Sequence, residues 1–157
     1  MLLSKNLRKS NIIIKAKSTN RWDLIEEMLD TAIKNNDVKK EDREILKNAL
    51  FEREKSMSTG IGRGVAIPHC TTDTVEDVVI VMAFCEEGID FEAIDNEPVQ
   101  IAIFLLVSRN KLKQHIKTLA NIAKLMNNDE LRNKILHLKK PEAIIKSIKE
   151  AENNPDQ

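Results

Sequence analysis

The chain has 157 residues, and its 25 basic side chains balance its 25 acidic ones, so the formal net charge at pH 7 is zero. This balance argues against a general nucleic-acid-binding protein, and the scarcity of aromatic residues, with no Tyr, argues against platforms for base stacking. The longest apolar runs fall well short of the roughly 18 residues that a membrane-spanning helix needs.

The first half of the chain predicts a short strand followed by two helices. The β-branched residues 12–14 indicate the strand, and three residues that could cap the next helix follow it, namely Ser18, Thr19 and Asn20. Apolar residues at helical spacing predict that this helix reaches Ile33 and ends at residues 35–37. A second helix is expected from about Lys40 to residues 53–58, with an apolar face formed by Ile45, Leu46, Ala49 and Leu50.

The second half predicts two buried strands and then three helices. Residues 75–84 and 99–107 are nearly continuous apolar runs, which are typical of strands buried on both faces, and the alternation over 89–94 favours an edge strand or a turn. Helices are expected over 116–126, with Ile116 on the apolar face, over 129–138, and from Pro141 onwards. The polar residues 152–157 are expected to form a frayed tail.

These elements predict a single α/β domain over residues 1–157, with a mixed sheet flanked by helices. The two cysteines, Cys70 and Cys85, form no C-x-x-C motif, and a reducing cytoplasm is the expected location.

The segment 53–69 carries the strongest local constraints in the chain. It reads R-E-K-S-M-S-T-G-I-G-R-G-V-A-I-P-H, with glycines at 60, 62 and 64 and a proline directly before His69. Glycine permits positive φ and close approach, and Pro68 biases Ile67 toward extended geometry. A loop is therefore expected to lead into a short strand that holds His69 in a defined place, with free backbone N–H groups in the loop.

Three other kinds of site are disfavoured by spacing. A P-loop would close with G-K-[ST], and a dinucleotide site needs G-x-G-x-x-G between a strand and a helix, whereas here G-x-G-x-G follows a helix and precedes a strand. A zinc site needs three or four ligands, and no second pair accompanies His69 and Cys70. A Cys70 nucleophile with His69 as its base is weak, because neighbours in a strand point to opposite faces.

The remaining hypothesis makes His69 itself the nucleophile. A neutral imidazole is nucleophilic at cellular pH, and a phosphoryl group is a natural electrophile for it. Phosphoryl transfer needs positive charge around the phosphoryl oxygens, which Arg53 can supply, and His115 could donate a hydrogen bond to the same group.

At these residues the chain resembles the enzyme IIA domain of the bacterial phosphoenolpyruvate-dependent sugar phosphotransferase system, in its fructose–mannitol branch. Residues 53–69 are similar to that family's R-E-x-x-x-S-T-G-I-G-x-G-x-A-I-P-H signature, and residues 114–120, Q-H-I-K-T-L-A, resemble its H-L-x-x-L-A segment. The resemblance covers essentially the whole chain. Cys70 stands where the family often has a smaller residue, and Ser108-Arg109 stands where it commonly has alanine–proline.

The resemblance implies a mixed five-stranded sheet and a phosphotransferase without cofactor or metal. His69 matches the histidine that the family phosphorylates on Nε2, His115 matches the histidine beside it, and Arg53 matches the arginine near the site. The donor implied is the phosphorylated histidine phosphocarrier protein, and the acceptor is usually a cysteine of an enzyme IIB domain, with no nucleic acid and no direct membrane insertion.

Two alternative functions accompany this one. The first is a regulatory phosphohistidine protein of the nitrogen-regulatory type, which signals by protein binding. The second is a protein that only binds partners, and the presence of both histidines argues against it.

The roles of several neighbouring residues stay open at the level of sequence. Glu54 could pair with Arg53 or be a solvated charge, and Ser58 and Thr59 could line the loop or end the helix. His137 is expected at the surface without a role. The candidate docking residues around the site are Ile61, Val65 and, at the rim, Arg63.

Overall fold

The computed structural model describes residues 2–154, which fold into a mixed sheet flanked by helices. In this part of the chain the strands are β1 (Ile12–Ile13), β2 (Gly60–Gly62), β3 (Val65–Ala66), β4 (His69–Thr72), β5 (Val79–Ile89) and β6 (Val99–Ser108). The helices are α1 (Leu3–Asn6), α2 (Arg21–Lys34), α3 (Arg43–Ser56), α4 (Leu112–Met126), α5 (Asp129–Leu136) and α6 (Pro141–Asn153). Short 3₁₀ turns precede β1, α3 and α4.

The long strand β6 organises the sheet. It pairs antiparallel with β5 on one side, and on the other side it pairs parallel with both β3 and β4. The strand β1 extends the β5 side, and β2 forms a hairpin with β3. The mixed sheet is confirmed, but six strands replace the expected five. Pro68 has no N–H to donate, so it divides the segment along β6 into β3 and β4.

Alternate residues of the central strands β5 and β6 pack into two separate hydrophobic layers, one on each face of the sheet. One layer contains Val81, Ala83, Phe104 and Leu106 and packs against α2 and α3, whereas the other contains Ile80, Met82, Ile103 and Leu105 and packs against α4 to α6. This arrangement explains why β5 and β6 have no polar face, because both faces of the sheet are covered.

Several expectations about the ends of elements are confirmed. Asn20 caps α2, since its side chain accepts a hydrogen bond from the backbone N–H of Asp23 at 2.9 Å. Pro141 is the first residue of α6. No helix among residues 2–154 has the length and apolarity needed to cross a membrane.

Other expectations were wrong. The strand expected over 75–84 begins at Val79 and continues to Ile89. Of the two alternatives for residues 89–94, the edge strand is wrong, whereas a turn does follow the loop at Ile94 and Asp95. Ile45 and Ile116 are 62% and 67% exposed, because the buried stripes of α3 and α4 run through Leu46 and His115 instead. The expected tail is part of α6 up to Asn153, and residues 155–157 lie outside the described residues.

Candidate functional site

The glycine-rich segment folds into a tight β-hairpin. Its two turn residues, Arg63 and Gly64, both have positive φ, at 57° and 78°, which is the geometry of a type I′ turn. The carboxylate of Asp95 accepts hydrogen bonds from the backbone N–H groups of Arg63 and Glu97, at 2.8 and 3.0 Å, and these bonds lower the pKa of Asp95. The hairpin is therefore held by the loop between β5 and β6.

Close packing adds a second requirement at Gly60. A Cβ atom at this position would lie 2.8 Å from the Cβ of Ala93, which is too close for two carbon atoms. Glycine is thus needed at position 60 because any side chain would clash with Ala93, and at the turn because the backbone there has positive φ.

The expectation that this loop offers free backbone N–H groups is wrong at three positions. The N–H of Gly60 donates to the Ser58 hydroxyl, that of Arg63 to Asp95, and that of Ile67 to the Thr59 carbonyl. These three N–H groups stabilise the hairpin and are not free to bind a phosphoryl group, whereas the guanidinium of Arg53 provides positive charge close to His69.

Glu54 anchors the start of the hairpin from inside the protein. It is 2% exposed, and its carboxylate accepts hydrogen bonds from the Thr59 N–H, at 2.9 Å, and from the Thr59 hydroxyl. Its ion-pair partner is Arg21, at 3.3 Å, which also donates to the carbonyl of Phe91. Both sequence-based readings of Glu54 are therefore wrong, since it is neither paired with Arg53 nor solvated.

His69 is the first residue of β4 and faces the α4 side of the sheet. Its ring is partly buried, and its Nδ1 lies 2.7 Å from the carbonyl oxygen of Ile67. A carbonyl can only accept a hydrogen bond, so Nδ1 carries the proton and Nε2 keeps its lone pair. The turn at Ile67-Pro68 thus fixes both the orientation and the tautomer of the ring.

The surroundings of His69 favour its neutral form. Burial lowers its pKa to about 4, and the nearby Arg53 and His115 act in the same direction, against the raising effect of the hydrogen bond to Ile67. At neutral pH the ring is uncharged, and its Nε2 is an available nucleophile.

His115 lies beside His69 in the first turns of α4. The two ring centroids are 5.2 Å apart, with a tilt of 53° between the ring planes. Burial, and secondarily Arg53, lowers the pKa of His115. Its Nδ1 is enclosed and has no hydrogen-bond partner among the described residues.

Arg53 is held in the last turn of α3, where its guanidinium donates to the carbonyl of Met57 at 2.8 Å. Its charge is close enough to lower the pKa of both His69 and His115. The structure therefore brings together the three residues singled out from the sequence.

Other candidate residues lie elsewhere. Cys70 points to the opposite face of the sheet, where burial raises its pKa to about 12, so a thiolate at this position is disfavoured. His137 is the C-cap residue that follows α5 at the surface, with its Nδ1 donating to the Asn133 carbonyl. Val65 is 1% exposed and cannot contact a partner, whereas Ile61 is 43% exposed. Among residues 2–154, no group of His, Cys, Asp and Glu side chains is arranged to hold a metal ion.

Arg21 and Asp95 were not identified from the sequence. Both act on the site through long-range contacts, Arg21 with Glu54 and Asp95 with the N–H of Arg63. The one signal for them in the sequence was the run of glycines, because it implies a backbone with positive φ that contacts from other segments must stabilise.

Comparison with known proteins places the chain among phosphotransferase components. The fructose-specific EIIABC component of Bacillus subtilis (strain 168) is 31% identical over 151 residues, which are 94% of this chain and 23% of that protein. The fructose-specific EIIA component of Haloferax volcanii is 32% identical over 76% of this chain and 77% of its own length. The nitrogen regulatory protein of Escherichia coli (strain K12) is 34% identical over 73% of this chain and 71% of its own length.

Solved structures agree with this placement. The nitrogen regulatory protein IIA-Ntr of Neisseria meningitidis superposes with a TM-score of 0.84 at 26% identity, covering 93% of this chain and 98% of the other. The mannitol IIA of Escherichia coli shares the fold, with a TM-score of 0.77 at 20% identity over 90% of this chain and 98% of the other.

The match to a family description decides the assignment. Residues 5–151 match the family "Phosphoenolpyruvate-dependent sugar phosphotransferase system, EIIA 2". This match spans nearly the whole chain, and it includes the glycine hairpin and both histidines of the site. The chain therefore belongs to the EIIA 2 family of the phosphoenolpyruvate-dependent sugar phosphotransferase system.

Proposed function

We propose that this chain accepts a phosphoryl group on Nε2 of His69 from the phosphorylated histidine phosphocarrier protein and passes it to an enzyme IIB partner during sugar uptake. The observation that carries the proposal is the hydrogen bond from Nδ1 of His69 to the Ile67 carbonyl, which leaves a neutral Nε2 beside His115. The buried and unpaired cysteines support a reducing compartment, the cytoplasm.

The first transfer is a displacement at phosphorus. The lone pair of Nε2 forms the new N–P bond while the bond from phosphorus to the donor's imidazole breaks, and the donor nitrogen keeps that electron pair. The Nδ1–H bond to Ile67 persists and helps to disperse the positive charge that the ring acquires. The second transfer reverses these roles, with a thiolate of the IIB partner as the attacking group.

Arg53 and His115 supply what such a transfer needs beyond the nucleophile. The charge spreads over three equatorial oxygens, so a fixed guanidinium lowers the barrier by electrostatic stabilisation. The anchoring of Arg53 to Met57 limits the motion of its guanidinium. We expect His115, whose ring centroid lies 5.2 Å from that of His69, to donate a hydrogen bond to the phosphoryl group.

Exposed apolar side chains around the site support docking of protein partners. Met57 follows the helix that carries Arg53, and Leu112 and Ile116 flank His115 on α4, and all three are exposed. These three side chains are open to a docking partner, whereas Val65, the docking residue suggested from the sequence, is buried. Because two proteins must dock in turn at one histidine, each interface is expected to be small and transient.

A second candidate function is a regulatory one, in which the phosphorylation state of His69 controls binding to other proteins. The observation in its favour is the 34% identity to a nitrogen regulatory protein and the superposition on IIA-Ntr. The chemistry at His69 is the same in both candidates, and they differ in whether an enzyme IIB takes the phosphoryl group.

A phosphorylation assay tests the proposal. Isolated phosphorylated phosphocarrier protein, mixed with this chain without added Mg²⁺, should transfer one acid-labile, base-stable phosphate to it. The variant His69→Ala should gain none, whereas His137→Ala should be labelled normally because that ring lies at the surface away from the site. Normal labelling of His69→Ala would refute the proposal, and a strict need for metal in this step would contradict the role of Arg53.

Discharge to a partner separates the two candidate functions. The labelled chain should lose its phosphate to a fructose-type or mannitol-type IIB domain if it serves transport. Stable retention of the phosphate with every such IIB domain would favour the regulatory function.

A further inference from the structure

Glu54 is a buried acidic residue next to Arg53 in the last turn of α3, and the proposed transfer gives it no role. Its side chain is 1% exposed. A carboxylate that is removed from water needs compensating partners, and here they are the guanidinium of Arg21 and two donors of Thr59, its N–H and its hydroxyl. The further contacts of these partners determine what the buried carboxylate holds in place.

One series of hydrogen bonds leads from Glu54 to the nucleophile. Beyond Thr59, the Thr59 carbonyl accepts a hydrogen bond from the N–H of Ile67 at 3.0 Å, and the Ile67 carbonyl accepts one from Nδ1 of His69 at 2.7 Å. The strand β4, which begins at His69, is held by its pairing with β6. The carbonyl that sets the tautomer of His69 therefore lies between a segment fixed by the sheet and a segment fixed by Glu54.

A second series of contacts leads from Glu54 to Arg53. The two hydrogen bonds between Glu54 and Thr59 close the turn over residues 54–59. The Met57 carbonyl lies within this turn and accepts the hydrogen bond that holds the guanidinium of Arg53, at 2.8 Å. Closing the turn fixes that carbonyl, so the same carboxylate supports both the nucleophile and the cation of the site.

Arg21 joins this turn to the loop between β5 and β6. Its guanidinium pairs with Glu54 at 3.3 Å and donates to the Phe91 carbonyl at 2.9 Å, and the Ser58 hydroxyl donates to the same carbonyl. The Arg21 side chain is only 14% exposed, and hydrogen bonds away from water are electrostatically stronger than those at the surface. The turn is thus stabilised by a part of the protein that lies outside the site.

We propose that Glu54 is a positioning residue for phosphoryl transfer. Acting through Thr59, its carboxylate fixes the hydrogen bond that orients His69 and the carbonyl that holds the guanidinium of Arg53. Glu54 and Thr59 are 2% and 4% exposed, so they act on the geometry of the reacting groups rather than on the phosphoryl group itself. The inference rests on the proposed function, because it concerns the rate of that reaction.

The first test is kinetic and uses Glu54→Gln, which keeps the size of the side chain but removes its charge and one acceptor oxygen. The kcat for acceptance from the phosphorylated phosphocarrier protein should fall about tenfold or more, because small displacements of reacting groups are costly. The KM should stay within about twofold, because a buried substitution leaves the docking surface unchanged.

Glu52→Gln is the matched control, since Glu52 is exposed on the same helix and should keep the wild-type constants. A raised KM at wild-type kcat in Glu54→Gln would indicate a role in docking and would contradict the proposal.

The second test is spectroscopic, and it separates positioning from a loss of stability. Nitrogen NMR of the folded wild type should show His69 in the single tautomer with the proton on Nδ1. Glu54→Gln, recorded under conditions in which urea denaturation shows it to be folded, should show both tautomers and a shifted Nε–H signal of Arg53. Wild-type signals from both groups in this variant would overturn the proposal, and so would altered signals with a wild-type kcat.

Variants of Thr59 test the same route without leaving Arg21 unpaired, and they serve equally if Glu54→Gln folds poorly. Thr59→Val removes the hydroxyl that donates to Glu54 and should lower kcat by about threefold, in line with the loss of one hydrogen bond. Thr59→Ser keeps that hydroxyl and should recover the rate, so equal kcat values for the two variants would remove Thr59 from the route and overturn the proposal. The spectra require no phosphoryl transfer, so they still test the positioning of His69 if wild type accepts no phosphate and the proposed function fails.

Discussion

The buried neutral state of His69 predicts how stability depends on pH. Its ordinary pKa of 6.5 applies to the unfolded chain, and its pKa in the folded protein is about 4. Between these two values the unfolded state binds more protons than the folded state, so the free energy of unfolding falls as pH is lowered through this window. Above pH 6.5 this contribution is complete and constant.

The size of the effect follows from the same two values. A difference of about 2.5 between the two pKa values corresponds to about 3 kcal/mol once the ring is protonated in both states. From about pH 7.5 to about pH 5, linkage gives a loss of about 2 kcal/mol for this single group. His115, whose pKa is also lowered, adds a loss in the same direction.

Urea denaturation of wild type and His69→Gln at these two pH values isolates the contribution of His69. The variant cannot be protonated at this position, so it should lose about 2 kcal/mol less than wild type on acidification. His137→Gln is the matched control and should lose as much as wild type, because His137 is exposed. Equal losses in wild type and His69→Gln would refute the inference that the ring is held neutral by burial.

Three further predictions concern the support and the use of the site. Arg21→Ala leaves Glu54 buried and unpaired and should destabilise the fold by about 3–5 kcal/mol in urea denaturation, whereas Arg43→Ala, which breaks more exposed ion pairs, should cost about 1 kcal/mol or less. His115→Ala should still accept phosphate but pass it to a IIB cysteine more slowly, and wild-type rates in both half-reactions would remove His115 from the site. Arg63→Glu should slow transfer from the phosphocarrier protein most at low ionic strength, and an unchanged salt dependence would place Arg63 outside the interface.

The prediction for Arg63 has a competing structural explanation. Its guanidinium lies 3.4 Å from the carboxylate of Asp129, so the residue also connects the hairpin to α5. Both side chains are more than half exposed, and such a pair is worth about 1 kcal/mol or less. Measuring the stability of Arg63→Glu beside its transfer rate therefore separates loss of the ion pair from loss of docking.

Local sequence was sufficient for the elements whose pattern is internal to the segment. The cap at Asn20, the helix start at Pro141 and the doubly buried strands β5 and β6 each depend on residues within a few positions of one another. The glycines before His69 belong to the same class in their positive φ, which residues 62–64 have, although a loop was expected where the segment forms the hairpin of β2 and β3. These features could be predicted because the competing conformations are excluded by sterics in the segment itself.

Only the tertiary structure decided the contacts that join distant segments. The contact of His115 with His69 depends on α4 crossing the same face of the sheet that β4 presents, and the burial of Glu54 depends on Arg21 and Thr59 closing over it. The exposure of Ile45 and Ile116 shows the same limit, because a helical repeat gives the spacing of apolar residues but not which of two adjacent stripes meets the core. The sequence thus determined that His69 is rigidly presented, and the packing of α3 and α4 determined which groups surround it, since burial and charge at a site are sums over neighbours far apart in the chain.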